Sequence, residues 1–171
     1  MGGNPNITLS AGLALCKANQ PLNRTVREAE ERLERAKEAG RDRVCLLDEQ
    51  PVTWEELPAL LRLADTLNDW LRAGWLNTAL VYKTLHFAEE RRRAEQPDED
   101  GALDMAHANW RARWAYHLAR NVRDSRTIPD PEKKTVMAVL NRLLGLDADI
   151  RKQAEWVSPR IPVSIALYRN R

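Results

Sequence analysis

The chain has 171 residues and a mass of 19.6 kDa, which suits one medium domain or one domain with an accessory segment. A chain of this length buries roughly 70 % of its unfolded surface on folding, so it needs no disulfide or metal for stability. It contains two cysteines, without the CxxC or Cys/His spacing of a zinc site. The sequence has no signal-peptide pattern and no run of 18 apolar residues, and it therefore predicts a soluble, cytoplasmic protein without a membrane partner.

The net charge of +2 conceals two oppositely charged parts of the chain. Residues 1–106 hold 14 basic and 19 acidic side chains, a balance of −5, whereas residues 107–171 hold 13 and 6, a balance of +7. A basic C-terminal part suits a polyanion or an acidic protein neighbour, and an ordinary solvated helix face explains it equally well.

The first fifty residues have the pattern of a strand, a helix and a second strand. Residues 7–15 are apolar and β-branched and predict a well-covered strand, and a helical periodicity then runs from Pro21 to the stop signal Gly40. Residues 43–48 predict the second strand. Two strands joined by one helix are too few to close a sheet and leave open edges, and we expect them to run parallel.

After residue 50 the chain has helical periodicity. Thr53 followed by Glu56 is a capping-box pattern, and Ser158 followed by Pro159 predicts another N-cap. The predicted helices run from this capping box to Gly74, and over about 76–94, 103–123, 130–145 and 158–168, with a loop at 96–101. The sequence thus predicts a mainly α protein, a bundle of four to five helices preceded by a partial α/β segment.

The helix predicted over about 103–123 has an apolar face and a basic, aromatic face. Trp114, Leu118 and Val122 share one side at 100° per residue, while Arg113, Tyr116 and Arg120 share the other with Asn109. Guanidinium groups bind phosphate and an aromatic ring stacks on a base, but the same stripe could pair with acidic residues of the bundle or of a partner. The candidate residues for nucleic-acid or partner contact are Arg113, Tyr116, Arg120, Arg123, Lys133, Lys134 and Arg142.

No complete active site is found in the sequence. His86, His107 and His117 have no second histidine or cysteine at the i+4 position, and we expect each to be packed or capped. The six tryptophans are expected to anchor the core. No Ser/His/Asp set, phosphate-binding loop or dinucleotide-binding glycine motif is present.

Two segments of the N-terminal part, ITLSAGLAL at 7–15 and AEERLERAKEAGRDRV at 29–44, are similar to the closing segment of the polymerase-palm nucleotide cyclases. In the diguanylate cyclase branch this segment is a strand with Ser-x-Gly and a helix that ends Ala-Lys-x-x-Gly-Arg. The resemblance implies that Lys37 and Arg41 correspond to residues that contact nucleotide phosphates.

The helical part resembles a different group of proteins. Residues 74–79, 114–121 and 165–171 resemble the C-terminal helical domain of the large subunit of type III CRISPR effectors, especially the Csm class. The resemblance implies a truncated palm domain at 1–50 and a helical bundle like the effector's small subunit at 51–171. The implied partners are the effector backbone and small subunits, guide RNA and target RNA. The parent subunit would make cyclic oligoadenylate from ATP with Mg²⁺ or Mn²⁺.

The chain departs from that family at its start. Residues 2–6, GGNPN, resemble the turn just after the catalytic Gly-Gly-Asp-Asp hairpin, so the metal-binding aspartates are absent. We therefore expect no enzyme activity and no cofactor in this chain alone, with Lys37 and Arg41 as remnants of a phosphate site. The leading hypothesis is a non-catalytic, RNA-contacting subunit or fragment packed in the minor filament of the effector. The alternatives are the C-terminal fragment of a cyclic-oligoadenylate synthetase and a helical protein-interaction domain that binds no RNA.

Overall fold

A computed structural model describes residues 7–16, 19–47, 50–95, 109–146 and 159–170. The prediction of a mainly α protein with a small N-terminal α/β segment is confirmed. The chain forms two compact units, residues 1–63 and residues 64–171, each with most of its contacts within itself. The assignment of a palm remnant to 1–50 and a helical bundle to 51–171 stays a prediction. The elements are β1 (Ala11–Leu13), α1 (Leu22–Glu38), β2 (Arg43–Leu46), β3 (Val52–Thr53), α2 (Leu57–Arg72), α3 (Thr78–Glu95), α4 (Trp110–Leu118), a π-helical turn (Ala119–Arg123), α5 (Asp130–Leu143) and α6 (Arg160–Arg169).

The first unit contains a three-stranded sheet in the order β1-β2-β3. β1 runs parallel to β2, with Ala11 opposite Val44, which confirms the predicted orientation. β2 also pairs with β3 in the antiparallel sense, with Val44 opposite Val52. The sequence did not predict β3, because a two-residue strand is too short to show a period. β1 is shorter than the predicted 7–15, since it is paired along just three residues of β2.

Helix α1 covers one face of this sheet at very close range. A Cβ added to Gly12 would lie 2.2 Å from the Ala29 carbonyl oxygen and 2.4 Å from the Leu33 nitrogen, so glycine permits the approach. Buried Arg32 donates from Nη1 to the Leu13 carbonyl oxygen at 3.1 Å. The opposite face is less covered than the sequence predicts. Leu13 of β1 is exposed, and so are Ile7, Leu9 and Leu15 in the segments that flank the strand.

The residues predicted to mark helix ends make the expected contacts, but α2 begins at Leu57, later than the capping box predicts, so the Thr53–Glu56 pair closes the turn between β3 and α2. Thr53 and Glu56 form the reciprocal pair of a capping box: the Thr53 amide donates to Glu56 Oε2 at 2.8 Å, and the Glu56 amide donates to Thr53 Oγ1 at 3.2 Å. Gly74 follows α2 with a φ of +71°, the left-handed conformation of a C-terminal stop. At α6 the N-cap is Pro159, one residue later than predicted, and Ser158 lies outside the described residues.

In the second unit, α3 packs against α4, α5 and α6. The largest fully buried side chains include Phe87 of α3 and Trp114 of α4, whose ring centroids lie 5.5 Å apart. The predicted Trp114, Leu118 and Val122 face is buried, as expected. Of the other tryptophans, Trp70 and Trp110 are buried, Trp54 and Trp75 are half-buried, and Trp156 lies outside the described residues.

The segment predicted as one helix over about 103–123 is not a single α-helix. Its described part is α-helical from Trp110 to Leu118 and then widens into the π-helical turn, where the Asp124 amide donates to the Ala119 carbonyl oxygen at 2.9 Å. The sequence could not indicate this change, because apolar residues at i and i+4 fit both kinds of turn. Residues 103–108, which include His107, and the predicted loop at 96–101 lie outside the described residues.

Candidate nucleic-acid interface

Helices α3 and α4 run antiparallel and bring the predicted basic face of α4 beside α3. Toward the start of α4, Arg113 pairs with Glu90 of α3, and toward its end His117 meets Lys83, which lies two turns earlier on α3. Buried Phe87 lies between these contacts and is 5.6 Å from the His117 ring, centroid to centroid. The helix pair therefore determines which of the predicted cations face solvent without a carboxylate partner.

Arg113 is the partner of a buried carboxylate. Its Nη1 donates to Glu90 Oε1 at 2.8 Å and to Oε2 at 3.0 Å, and its guanidinium carbon lies 5.5 Å from the Phe87 ring centroid. His86 Nε2 is also 3.0 Å from Glu90 Oε1. The Glu90 side chain is 8 % exposed, whereas that of Arg113 is 52 % exposed. The charge of Arg113 thus compensates a carboxylate inside the fold and is less available to a phosphate.

Four neighbouring side chains, Lys83, Tyr116, His117 and Arg120, form what we call the α3–α4 cluster. Lys83 Nζ lies 3.2 Å from His117 Nδ1, and Arg120 Nη1 donates to the Tyr116 hydroxyl oxygen at 3.3 Å. The Tyr116 and His117 ring centroids are 5.6 Å apart at an interplanar angle of 68°. In the described part of the chain, neither Lys83 nor Arg120 forms an ion pair with a carboxylate.

The surroundings of His117 disfavour its charged form. Burial lowers the pKa of His117, and the positive charges of Lys83, Arg113 and Arg120 lower it further. A neutral imidazole has one ring nitrogen that accepts a hydrogen bond, so the Lys83 ammonium can donate to it. The backbone carbonyl of the same residue accepts a hydrogen bond from Asn121 Nδ2 at 2.8 Å, which ties His117 to the π-helical turn.

Two other predicted cations are already paired with carboxylates. Arg123 Nε donates to Asp124 Oδ1 at 2.9 Å, and this hydrogen bond lowers the pKa of Asp124 and raises that of Arg123. Lys133 Nζ is 2.7 Å from Asp130 Oδ1, and this hydrogen bond lowers the pKa of Asp130. The exposed ends of these pairs are charge-balanced, unlike the α3–α4 cluster.

The remaining basic candidates lie apart from the cluster. Lys134 and Arg142 are exposed on α5, and no hydrogen bond or ion pair joins them to Tyr116 or Arg120 within the described ranges. They extend the basic surface without adding to the cluster.

Lys37 and Arg41, the predicted remnants of a phosphate site, lie at the C-terminal end of α1. Lys37 Nζ donates to Glu34 Oε1 at 2.7 Å. Arg41 follows Gly40, and both have a positive φ, 62° and 114° respectively. The C-terminal end of a helix carries partial negative charge, which attracts these two cations and disfavours a phosphate. The structure places the two residues around the C-terminal end of α1, where the Arg41 amide donates to the Ala36 carbonyl oxygen at 3.2 Å.

Two residues of the candidate site were not predicted from the sequence. Lys83 has no distinguishing pattern on α3, and its role depends on the antiparallel packing of α3 and α4. Glu90 is one of several acidic residues near the arginine run 91–93, and nothing in the sequence indicates its burial.

Among the residues that the structure describes, no group of three or more His, Cys, Asp or Glu side chains could hold a metal ion. The described helices include none that is long and apolar enough to span a membrane.

Comparison with known proteins gives one match. Residues 1–45 match the family model of Cas10/Cmr2, second palm domain. No curated protein and no solved structure matches the chain. The part with β1, α1 and most of β2 is therefore similar to the second palm domain of Cas10/Cmr2.

Proposed function

We propose that the chain is part of the large subunit of a type III CRISPR effector and has no catalytic activity by itself. The observation that carries the proposal is the match of residues 1–45 to the second palm domain of Cas10/Cmr2. The helical second unit would pack beside the backbone and small subunits of a cytoplasmic, Csm-class complex, in its minor filament, and contact guide RNA and target RNA.

The α3–α4 cluster supports RNA contact by this unit. Lys83 and Arg120 present positive charge without a carboxylate partner in the described residues, and Tyr116, the hydrogen-bond partner of Arg120, is 58 % exposed. Cations of this kind bind phosphates independently of base sequence, and the affinity then falls as salt displaces the contacts.

A pair of arginines on the same turn tests this role. We expect Arg120→Ala to weaken the binding of a labelled RNA and to reduce the salt dependence of the affinity by about one phosphate contact. Arg123→Ala is the matched control, because it removes the same charge from a guanidinium that already pairs with Asp124. Fluorescence anisotropy at several salt concentrations measures the affinity of each variant for RNA and its salt dependence. The RNA role is wrong if the unmodified chain binds no RNA, or if both variants bind as it does.

The palm match also favours a second candidate, the C-terminal fragment of a cyclic-oligoadenylate synthetase whose Gly-Gly-Asp-Asp half is on another polypeptide. The parent enzyme would use ATP with Mg²⁺ or Mn²⁺, and this chain would supply Lys37 and Arg41 at the edge of the phosphate site. To test this role, the chain is mixed with a polypeptide that carries the Gly-Gly-Asp-Asp hairpin, ATP and the metal ion are added, and the products are analysed by mass spectrometry. Lack of any oligoadenylate, or equal yield with the Lys37→Ala and Arg41→Ala variants, would exclude this role for them.

A further inference from the structure

The α3–α4 cluster combines an exposed aromatic ring with two cations, one bonded to the ring's hydroxyl and one to the neighbouring histidine. Arg120 donates to the hydroxyl end of Tyr116, and Lys83 approaches from the side of His117. The Tyr116 and His117 rings are inclined at 68° and are not stacked on each other, so His117 does not cover Tyr116 as a stacking partner would. An exposed ring flanked by cations suits a nucleotide whose base is unstacked.

We propose that the α3–α4 cluster binds one nucleotide of single-stranded RNA, with the base stacked on Tyr116 and the flanking phosphates contacted by Lys83 and Arg120. This inference rests on the proposed function. It adds that the bound RNA is single-stranded and states which part of the nucleotide each side chain contacts. In a duplex the bases are stacked on each other inside the helix, and Tyr116 could not reach a base face.

The neighbours of the cluster favour an anion over a cation or a neutral ligand. Glu90, the carboxylate that α3 places against Arg113, is buried and already accepts hydrogen bonds from Arg113. His117 Nδ1 lies 3.2 Å from the Lys83 ammonium, and the lowered pKa of His117 disfavours a third positive charge in the cluster. The net charge that the cluster presents to solvent is therefore that of Lys83 and Arg120.

The test compares the full chain on a labelled single-stranded oligouridine and on a blunt duplex of equal length. We expect Tyr116→Ala to weaken single-strand binding about tenfold, within the range for loss of one stacked base, and to change duplex binding less than twofold, about the scatter of surface substitutions. Tyr116→Phe keeps the ring and should bind the single strand within about twofold of the unmodified chain. Lys83→Ala should weaken binding more than Lys134→Ala, its control on α5.

The outcomes separate this inference from the proposed function. Absence of RNA binding by the unmodified chain overturns both. If Arg120→Ala weakens binding but Tyr116→Ala binds the single strand as tightly as the unmodified chain does, RNA contact stands and the stacked nucleotide is wrong. The inference is also overturned if polyglutamate displaces the RNA and Tyr116→Ala does not alter its binding, because the surface then recognises an acidic protein segment. Circular dichroism of each variant establishes that the fold is retained.

Discussion

Arg113 on α4 and Glu90 on α3 form an ion pair in which one partner is buried and the other is half-exposed. The Glu90 carboxylate accepts hydrogen bonds from Arg113 and lies 3.0 Å from His86 Nε2, so its buried oxygens are satisfied by two side chains. Removal of Arg113 would leave this carboxylate without its main counter-charge. A charge-reversal variant of Arg113 would therefore test folding and RNA binding together, which makes Arg120 the better residue for binding experiments.

Arg113→Ala should destabilise the fold by about 1–3 kcal/mol, because a buried acceptor loses its charged donor. The free energy of unfolding is measured in urea at neutral pH. The control is Arg111→Ala, since Arg111 pairs with Glu95 across 3.7 Å at an exposed site and should cost less than about 1 kcal/mol. Equal losses in the two variants would show that the burial of Glu90 does not matter.

Glu89 should titrate at unusually low pH. Hydrogen bonds from Arg92 and Arg93 lower the pKa of Glu89 from 4.5 to about 2. Because the pKa is lower in the folded state, the ionised carboxylate stabilises the fold above pH 4.5, and this stabilisation is lost as the pH falls from 4.5 toward 2. A titration of the Glu89 side-chain carboxyl carbon followed by NMR measures the midpoint.

The Arg92→Ala and Arg93→Ala variants should each move the midpoint of the Glu89 titration back toward 4.5, because each removes a hydrogen bond that lowers the pKa. Glu89→Gln should remove this part of the acid dependence of stability. A midpoint near 4.5 in the unmodified chain would contradict the prediction.

Gly12→Ala should destabilise the first unit by about 1–3 kcal/mol, since its new methyl group would overlap the backbone of α1. The overlap is with the Ala29 carbonyl oxygen at 2.2 Å, and a backbone atom cannot move aside as a flexible side chain can. Thermal unfolding followed by circular dichroism measures the loss. Ser10→Ala, two residues earlier, is the control and should stay within about 0.5 kcal/mol. A Gly12→Ala variant as stable as the unmodified chain would mean that α1 does not lie this close to β1.

Asn141→Leu should destabilise the second unit by about 1–3 kcal/mol, because it leaves a buried donor without an acceptor. Asn141 Oδ1 accepts a hydrogen bond at 2.9 Å from Nε1 of Trp114, which is 1 % exposed. Asn141→Asp keeps an acceptor oxygen in place and should cost less. Urea unfolding followed by tryptophan fluorescence compares the two. If they lose the same stability, the hydrogen bond is not the cause.

Local signals in the sequence were sufficient for much of the fold. The capping pair Thr53 and Glu56, the helix stop at Gly74 and the buried stripe with Trp114 each depend on residues within a few positions of one another, and each is confirmed. β3 was missed because its pairing with β2 is a contact between segments that has no periodicity of its own. The exposed side of β1 was missed because apolar alternation does not indicate whether anything covers it.

The candidate site was predicted in outline but not in its parts. Sequence spacing grouped Arg113, Tyr116 and Arg120 on one face, and that grouping is a property of a single helix. The division between Arg113, which compensates Glu90, and Arg120, which does not, depends on which side chains α3 places opposite. The same cause explains why Lys83 was missed.

The π-helical turn gives a way to separate the contribution of the backbone to this surface from that of its side chains. Its i to i+5 hydrogen bond accommodates one residue more than an ordinary turn, so deletion of Ala119 would leave a chain able to continue as a regular α-helix. Arg120 would then follow Tyr116 by three residues in place of four, a spacing that still keeps two side chains on one face of a helix. If the shortened chain kept its affinity for RNA, the side chains alone would account for binding, whereas a loss of affinity would show that the wide turn itself is needed.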